Sequence, residues 1–436
     1  MTIKKKILIF FCIKLIIIFL AIVIIVTINS DISDKELGPS PFIIETDFTS
    51  EDDPAAKKII EIGKTIQGVD EFKEKYSLDL NNPEPSIVIL KEFIQLNQVA
   101  LDKIKPELFK SYKPKKQKID SFFNEDFDDE FEQNLQKVLT LLQRKTTLDI
   151  LSLDFDNTKI DFMKANGILN DVAKKPTGIL SGMLIGGIKI IEISNIKLFL
   201  NQEKFTLDQK LEVISFPFEP FEKQFLITIA HFESQNLKNM MLILTGPSSK
   251  LPKDMNIPFY MSIFKTFFIQ KNKTEIIFRE NFLNSISDFE NFNLKSISDI
   301  NNKFNLNASD FYKGNAGGKI ILSMFIPVLN ICIKIFAKHN NWLRQIKLAK
   351  AILEYKKNTG LFPIKLEDLK LDNKSITDLC TEDSFLYSPQ NGILQSVGQN
   401  GINNCPELTT KELTESEIKA LINNIAVDDD FIIYLK

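Results

Sequence analysis

The sequence predicts a mainly α-helical protein with an N-terminal transmembrane helix, a helical-hairpin array and a small C-terminal α+β module with an antiparallel sheet. Three observations carry this expectation. Residues 7–28 form an apolar run, ILIFFCIKLIIIFLAIVIIVTI, with one charge, Lys14, inside it. Between residues 55 and 358, apolar residues recur at helical spacing in several long stretches. Beyond residue 385 the pattern changes to short apolar segments separated by Pro, Asn and Gly, which reads as strands and turns.

At ~1.5 Å per residue the apolar run spans about 33 Å, enough for a hydrocarbon core of ~30 Å. Lys14 lies near the N-terminal end, where its stem reaches back to the headgroups. Lys4, Lys5 and Lys6 precede the run and Asp31, Asp34 and Glu36 follow it, which places the N-terminus in the cytoplasm and the bulk outside. The alternative is a cleaved signal peptide. Its apolar region would be only ~7–15 residues long, and TINSDIS at 27–33 offers no small-x-small cleavage site. The expected order is a cytoplasmic tail (1–6), a transmembrane helix (7–28), a stalk with Gly38, Pro39 and Pro41 (29–54), a mainly helical domain (55–318), and a long helix with the α+β module (319–436).

A net charge of −3 over 436 residues supplies no basic face for nucleic acid. The 44% hydrophobic and 25% charged fractions suit a folded region. The four cysteines contain no C-x-x-C pair, which removes zinc ribbons and thioredoxin-like sites. Cys332 falls in an apolar helical stretch and reads as a core residue. Cys380 and Cys405 flank a predicted hairpin; facing an oxidising space they would bridge, with a stabilisation of ~3–4 kcal/mol in the chain-entropy model.

Helices are expected at 55–66, at 69–76 after Gly68, and at 86–104, where Ile87, Leu90, Ile94, Leu101 and Ile104 share a face. The lysine-rich stretch 103–118 and the acids of 125–132 read as a solvated loop and an acidic helix start. Segments 129–151 and 158–173 form a helical hairpin. Segment 177–200 is a buried helix, since Lys189, Glu192, Asn195 and Lys197 argue against a membrane span, and Gly182, Gly186 and Gly187 would let a neighbour approach. Two helices follow over 207–245, separated by Pro217 and Pro220. Segment 281–315, rich in Asn, Ser and Asp, is expected to be irregular. The long helix 319–358 opens with a stretch, 319–337, that approaches the length of a second span but carries Pro327, Asn330 and Lys334.

The C-terminal residues read LAKAILEYKKNTGLFPIKLEDL at 348–369, FLYSP at 385–389, LQSVGQNGINN at 394–404 and DDFIIYL at 429–435. Gly360 suits a left-handed helix cap, and Pro363 keeps the helix from resuming. Asn391-Gly392 is a short hairpin signal, Ile432–Leu435 suit a last strand, and Thr414 with Glu417 begins a helix over 414–426. This end resembles the C-terminal module of type II secretion pseudopilins. Tyr355, Gly360, Phe362, Pro363, Leu366 and Leu369 stand at matching positions, and so do Tyr387, Ser396, Gly398, Asn400 and Gly401. The resemblance implies a long helix, a turn and a small antiparallel sheet. Two departures separate the chain from filament subunits. The N-terminus has no Gly-Phe processing site, and Ile402-Asn403-Asn404 replaces the carboxylates that such modules use for calcium. The whole chain is also similar to uncharacterised bacterial proteins with an anchor, a helical-hairpin middle and this pilin-like end, on the stretch at 165–190.

Catalytic signatures fail one by one. His231 and His339 cannot form a histidine-pair zinc site; the first reads as a satisfied helical histidine and the second as an exposed one able to titrate near neutral pH. Gly63-Lys64-Thr65 ends like a phosphate loop, but Lys58 stands where its first glycine belongs. Asp154, Asp156 and Thr158 begin like a calcium loop, but Lys159 replaces the turn glycine and Ala165 the closing carboxylate. No catalytic, cofactor or metal residue is therefore assigned. The expected function is a single-pass, non-enzymatic scaffold or interaction protein of the cell envelope. Its partners are the membrane, through 7–28, and other envelope proteins, with no nucleic acid and no cofactor. The alternatives are a binding module for an envelope polymer or lipid and, behind it, an enzyme without a recognisable motif.

Overall fold

The computed structural model describes residues 37–42, 53–76, 78, 82–105, 129–174, 179–245, 270–290, 315–397, 406, 410–414, 416–418 and 431–435. The apolar run 7–28, the tail before it, most of the stalk, and Cys405 with its pairing to Cys380 lie outside the described residues, as do Gly398, Asn400 and Gly401. Within them the chain is mainly helical, with one three-stranded antiparallel sheet.

Helix α1 (Pro54–Thr65) starts where Asp53 Oδ1 accepts the amides of Ala55 (2.8 Å) and Ala56 (3.4 Å), with Pro54 in the first turn. After α2 (Val69–Lys75), the helix expected over 86–104 divides into α3 (Glu84–Leu96) and α4 (Gln98–Lys103). The break is Asn97, a buried side chain that exchanges hydrogen bonds with the backbone of Gln67 and also donates to Phe93 O. Its side chain ties the α1–α2 connection to the helix pair, a local alternative to continued helix.

Helices α5 (Asp129–Leu151) and α6 (Phe155–Ala173) form the expected hairpin, and Asp154, the rejected calcium residue, caps α6 through the amide of Asn157 at 3.2 Å. Helix α7 (Ile179–Leu200) packs among α5, α6 and the long helix. The close approach is made by two of the three expected glycines. A Cβ on Gly182 would lie 2.5 Å from Ile229, and one on Gly186 2.7 Å from Ile335 and 2.8 Å from Phe336. Gly187 meets nothing within 4 Å, because it faces away from that crossing. A capping box between Thr206 and Gln209 opens α8 (Leu207–Ile214), and α9 (Lys223–Thr245) follows the two prolines.

Residues 281–290, expected to be irregular, are the second half of helix α10 (Lys271–Glu290). The polar composition hides a helical stripe, Phe278, Phe282, Ile286 and Phe289, all buried against the body; packing of that stripe outweighs the weak propensity of Asn and Ser.

Helix α11 (Ala316–Thr359) runs through Pro327 and ends at Gly360, whose φ of 77° is the left-handed cap. Among the described residues it contains the one helix stretch, from Ile321, long and apolar enough to cross a membrane, and just over half of its apolar window is buried in the body. Its first half contributes Leu322, Ile326, Leu329, Ile333 and Phe336 to a core shared with α1–α7, α9 and α10, where Cys332 is also buried. Its second half, from Trp342, joins a second core with the C-terminal part of α7, α8 and the sheet.

The sheet runs in the order β1 (Leu386–Ser388), β2 (Ile393–Ser396), β3 (Phe431–Tyr434). Ser388 pairs with Ile393, so the hairpin loop is 389–392 and Asn391-Gly392 closes it instead of forming a two-residue turn. Asn391 is buried and spent elsewhere: it donates to Lys411 O at 2.7 Å and accepts from Leu413 N at 3.2 Å. Leu366–Leu369 is a 3-10 turn, and short helix α12 (Asn373–Ile376) follows. Of the helix expected over 414–426, residues 416–418 are described, and its Thr414–Glu417 box is formed. The Tyr387 hydroxyl donates to Pro363 O at 3.0 Å, joining the sheet to the turn after α11.

Candidate binding groove

Side chains of α11 hold two outer segments apart and leave a groove between them. Asn340 exchanges two hydrogen bonds, 2.8 Å each, with the backbone N–H and C=O of Phe221. One turn on, Arg344 Nη1 donates to Lys374 O (2.6 Å) and Thr377 O (3.4 Å). The first contact fixes the start of α9, the second fixes α12, and both spacings exist before any ligand arrives.

The groove measures about 600 Å³, within the range of ~300–1,000 Å³ usual for small-molecule sites. Its α11 wall carries Leu343, Arg344, Lys347, Leu348 and Ala351, which follow the helical period. Leu371, Asp372 and Lys374 line it from α12 and the residues before it, and Phe221, Lys223, Phe289 and Glu290 from the start of α9 and the end of α10. Lys223 and Glu290 pair at 2.9 Å, and Asp372 accepts the Ser375 amide at 2.7 Å as the cap of α12. Burial, opposed by Asp372 and Asp378, holds the Arg344 guanidinium below its usual value, though the group stays charged. Lys347 and Lys374 make no ion pair among the described residues.

Three buried ionic groups lie elsewhere. Lys145 on α5 holds Asp149 at 2.5 Å and Asp161 of α6 at 3.4 Å. Burial, with Asp161 adding and Lys145 opposing, pushes the Asp149 carboxyl up to about 7. The trio locks the hairpin, with two carboxylates sharing one ammonium.

Lys189 on α7 donates to Asn170 Oδ1 (3.2 Å) and Glu219 O (3.0 Å), and burial lowers its pKa. One turn away, burial pushes the Glu192 carboxyl up to about 8, with Lys189 opposing. His339, expected to be exposed and to titrate near neutral pH, is instead 2% exposed and edge-on to Phe221. Burial lowers it to about 3, with Lys189 adding to the effect, so it is a neutral packing group.

The third group closes a strap. Arg279 of α10 pairs with buried Glu275 at 2.6 Å, and its Nη1 donates to Leu37 O (3.0 Å), Gly38 O (3.4 Å) and Pro39 O (2.9 Å). His231 Nδ1 donates to Phe42 O at 2.9 Å, which makes it the satisfied helical histidine expected. Phe42 is buried edge-on to Phe278 and Phe282. The described part of the stalk is therefore docked on α9 and α10.

No metal-holding group of three His, Cys, Asp or Glu occurs among the described residues. Sequence reading singled out neither the groove nor the strap. For the groove the available signal was Arg344 and Lys347 beside Leu343 and Leu348 on one helical face; for the strap there was none, since Arg279 and Leu37 are joined only by the fold. No protein-family model matches the chain, and no curated protein or solved structure matches it.

Proposed function

We propose that this is a single-pass membrane-anchored protein whose bulk faces the extracytoplasmic side, and that it works as a non-enzymatic scaffold or interaction protein. The C-terminal sheet, with its resemblance to pseudopilin ends, would be the presented cap. The apolar run 7–28 carries the anchor, and the strap adds where the body would sit. From residue 28, where the apolar run ends, to Leu37, where the clamp begins, the chain reaches about 30 Å at most. A body clamped at Leu37–Phe42 would be held close to the bilayer instead of hanging on a long stalk. A second reading, a binding module for an envelope lipid or polymer, is favoured by the groove.

The test is topological. Ile364, 83% exposed, accepts an Ile364→Cys substitution without loss of packing. An impermeant maleimide should label this variant above the wild-type background on intact cells, and the protein should stay with membranes through a carbonate wash. Labelling only after permeabilisation, or release by carbonate, would overturn the proposal. Co-purification from solubilised membranes should then recover the same partners through wild-type protein and lose them when the apolar run is replaced by a cleavable leader.

A further inference from the structure

We propose that the groove between α11 and α12 binds a single-chain anionic amphiphile, an alkyl or acyl chain bearing one phosphate or carboxylate. The inference rests on the membrane-proximal reading above, since a bilayer is the source of such molecules. Its own support is the composition and rigidity of the groove.

Lys223 and Glu290 cancel, and Asp372 is offset by one of Arg344, Lys347 and Lys374, which leaves two positive charges in excess. Lys347 comes from α11 and Lys374 from α12, so an anion in the groove would meet ammonium groups carried by two different elements. Leu343, Leu348, Leu371, Phe221 and Phe289 supply the apolar surface beside them. Inorganic phosphate would leave that surface wet, and a neutral amphiphile would leave the cations unanswered. One chain with one anionic head satisfies both. Because Asn340 and Arg344 already hold the walls, little ordering is required on binding.

The experiment uses the full chain in nanodiscs of phosphatidylcholine, titrated calorimetrically with octyl phosphate, octanoate, octyl glucoside and inorganic phosphate against empty nanodiscs. Octyl phosphate or octanoate should bind; octyl glucoside should be weaker by about tenfold or more, the worth of one charge-assisted contact, and inorganic phosphate by at least about as much, because it buries no methylenes. The tighter of the two anions identifies the head group. The double variant Lys347→Gln/Lys374→Gln, at exposed positions, should lose about tenfold or more in affinity with an unchanged circular dichroism spectrum. Ala351→Phe, which fills the groove, should abolish binding. Equal binding of octyl glucoside, binding indifferent to these variants, or no heat beyond empty nanodiscs would overturn the inference. So would binding of an acidic peptide in place of the amphiphiles, which would give the groove to a protein partner. Failure of the groove with a carbonate-resistant protein sinks this inference alone; an intact groove on a carbonate-soluble protein sinks the tether alone.

Discussion

Phe42→Ala should undock the strap while leaving the helical body folded. Phe42 contributes about 3 kcal/mol by burial against two phenylalanines. The two shorter Arg279 bonds contribute about 2 kcal/mol each and the His231 bond about 1 kcal/mol. Against these stands the ordering of residues 37–42, about 1 kcal/mol each at the low end because Pro39 and Pro41 are already restricted. The balance is a docked strap with only about 2 kcal/mol to spare, less than the loss of one aromatic ring. Proteolysis by subtilisin over 37–42 reports the opening directly, because the clamp holds backbone carbonyls and a protease cuts only the undocked segment. Cleavage there should be slowed in the wild type by about 30-fold relative to a free peptide, and should approach the free rate in Phe42→Ala. Helix α10 should stay uncut in both, since Arg279 retains Glu275. Free-peptide cleavage in the wild type, or unchanged cleavage in the variant, would refute the clamp and remove the main support for a membrane-proximal body.

Three other outcomes follow from the packing and the buried charges. Gly186→Ala should cost about 1–3 kcal/mol in denaturant titration by forcing α7 from α11, whereas Gly187→Ala, with open space around it, should be neutral or stabilising by about 0.5–1 kcal/mol; equal effects would refute the crossing geometry. Asn341→Ala should cost about 2–3 kcal/mol, since buried Asn341 bonds Asp378, Ser396 and the Leu379 amide; a neutral substitution would show that the seam is not formed. From the three most shifted buried groups, stability should peak near pH 4 and fall toward neutral pH. His339, lowered in the folded state from 6.5 to about 3, binds its proton only when unfolded in that window, so its own contribution falls as pH drops from 6.5. Asp149 and Glu192, raised to about 7 and about 8, hold protons in the folded state that the unfolded chain has released, so their contribution is full below about pH 4 and lost as pH rises through 7 to 8. Urea titrations from pH 4 to 8 should show this fall; His339→Gln should steepen it between pH 4 and 6.5 and Glu192→Gln should flatten it, and a profile unmoved by either would contradict the burial of these groups.

Much of the fold was legible because periodicity and caps act locally. The α5–α6 hairpin, the buried α7 and the end of α11 at Gly360 all follow from spacing and cap residues near in sequence. The errors lie where a side chain reaches far along the chain. Asn97 breaks a periodic helix because its partner is Gln67, and Asn391 leaves its turn for Lys411 and Leu413. The groove was illegible for the same reason: Phe221, Arg344 and Lys374 meet only once α9, α11 and α12 are assembled.

Residues 338–341, Lys-His-Asn-Asn, show what that long reach accomplishes. By composition they belong on a surface, yet they sit in the helix where the first core ends at Ala337 and the second begins at Trp342. The four side chains answer three places: the helix itself, the start of α9 and the segment around Asp378. Lys338 lies over the Trp342 ring at 4.7 Å, His339 packs on Phe221, Asn340 binds the Phe221 backbone, and Asn341 binds the segment around Asp378. Four residues on, Gln345 donates to both Leu394 O (2.9 Å) and Phe431 O (2.7 Å), joining β2 and β3 to the same helix. A purely apolar seam would pack as well but would tolerate a rotation or slip of the cap, because apolar contacts are not directional. Directional polar contacts at this layer favour one register. The C-terminal sheet is therefore carried as a fixed extension of the helical body, and the groove, which opens at this layer through Asn340 and Arg344, has walls that cannot drift apart without breaking bonds to α11.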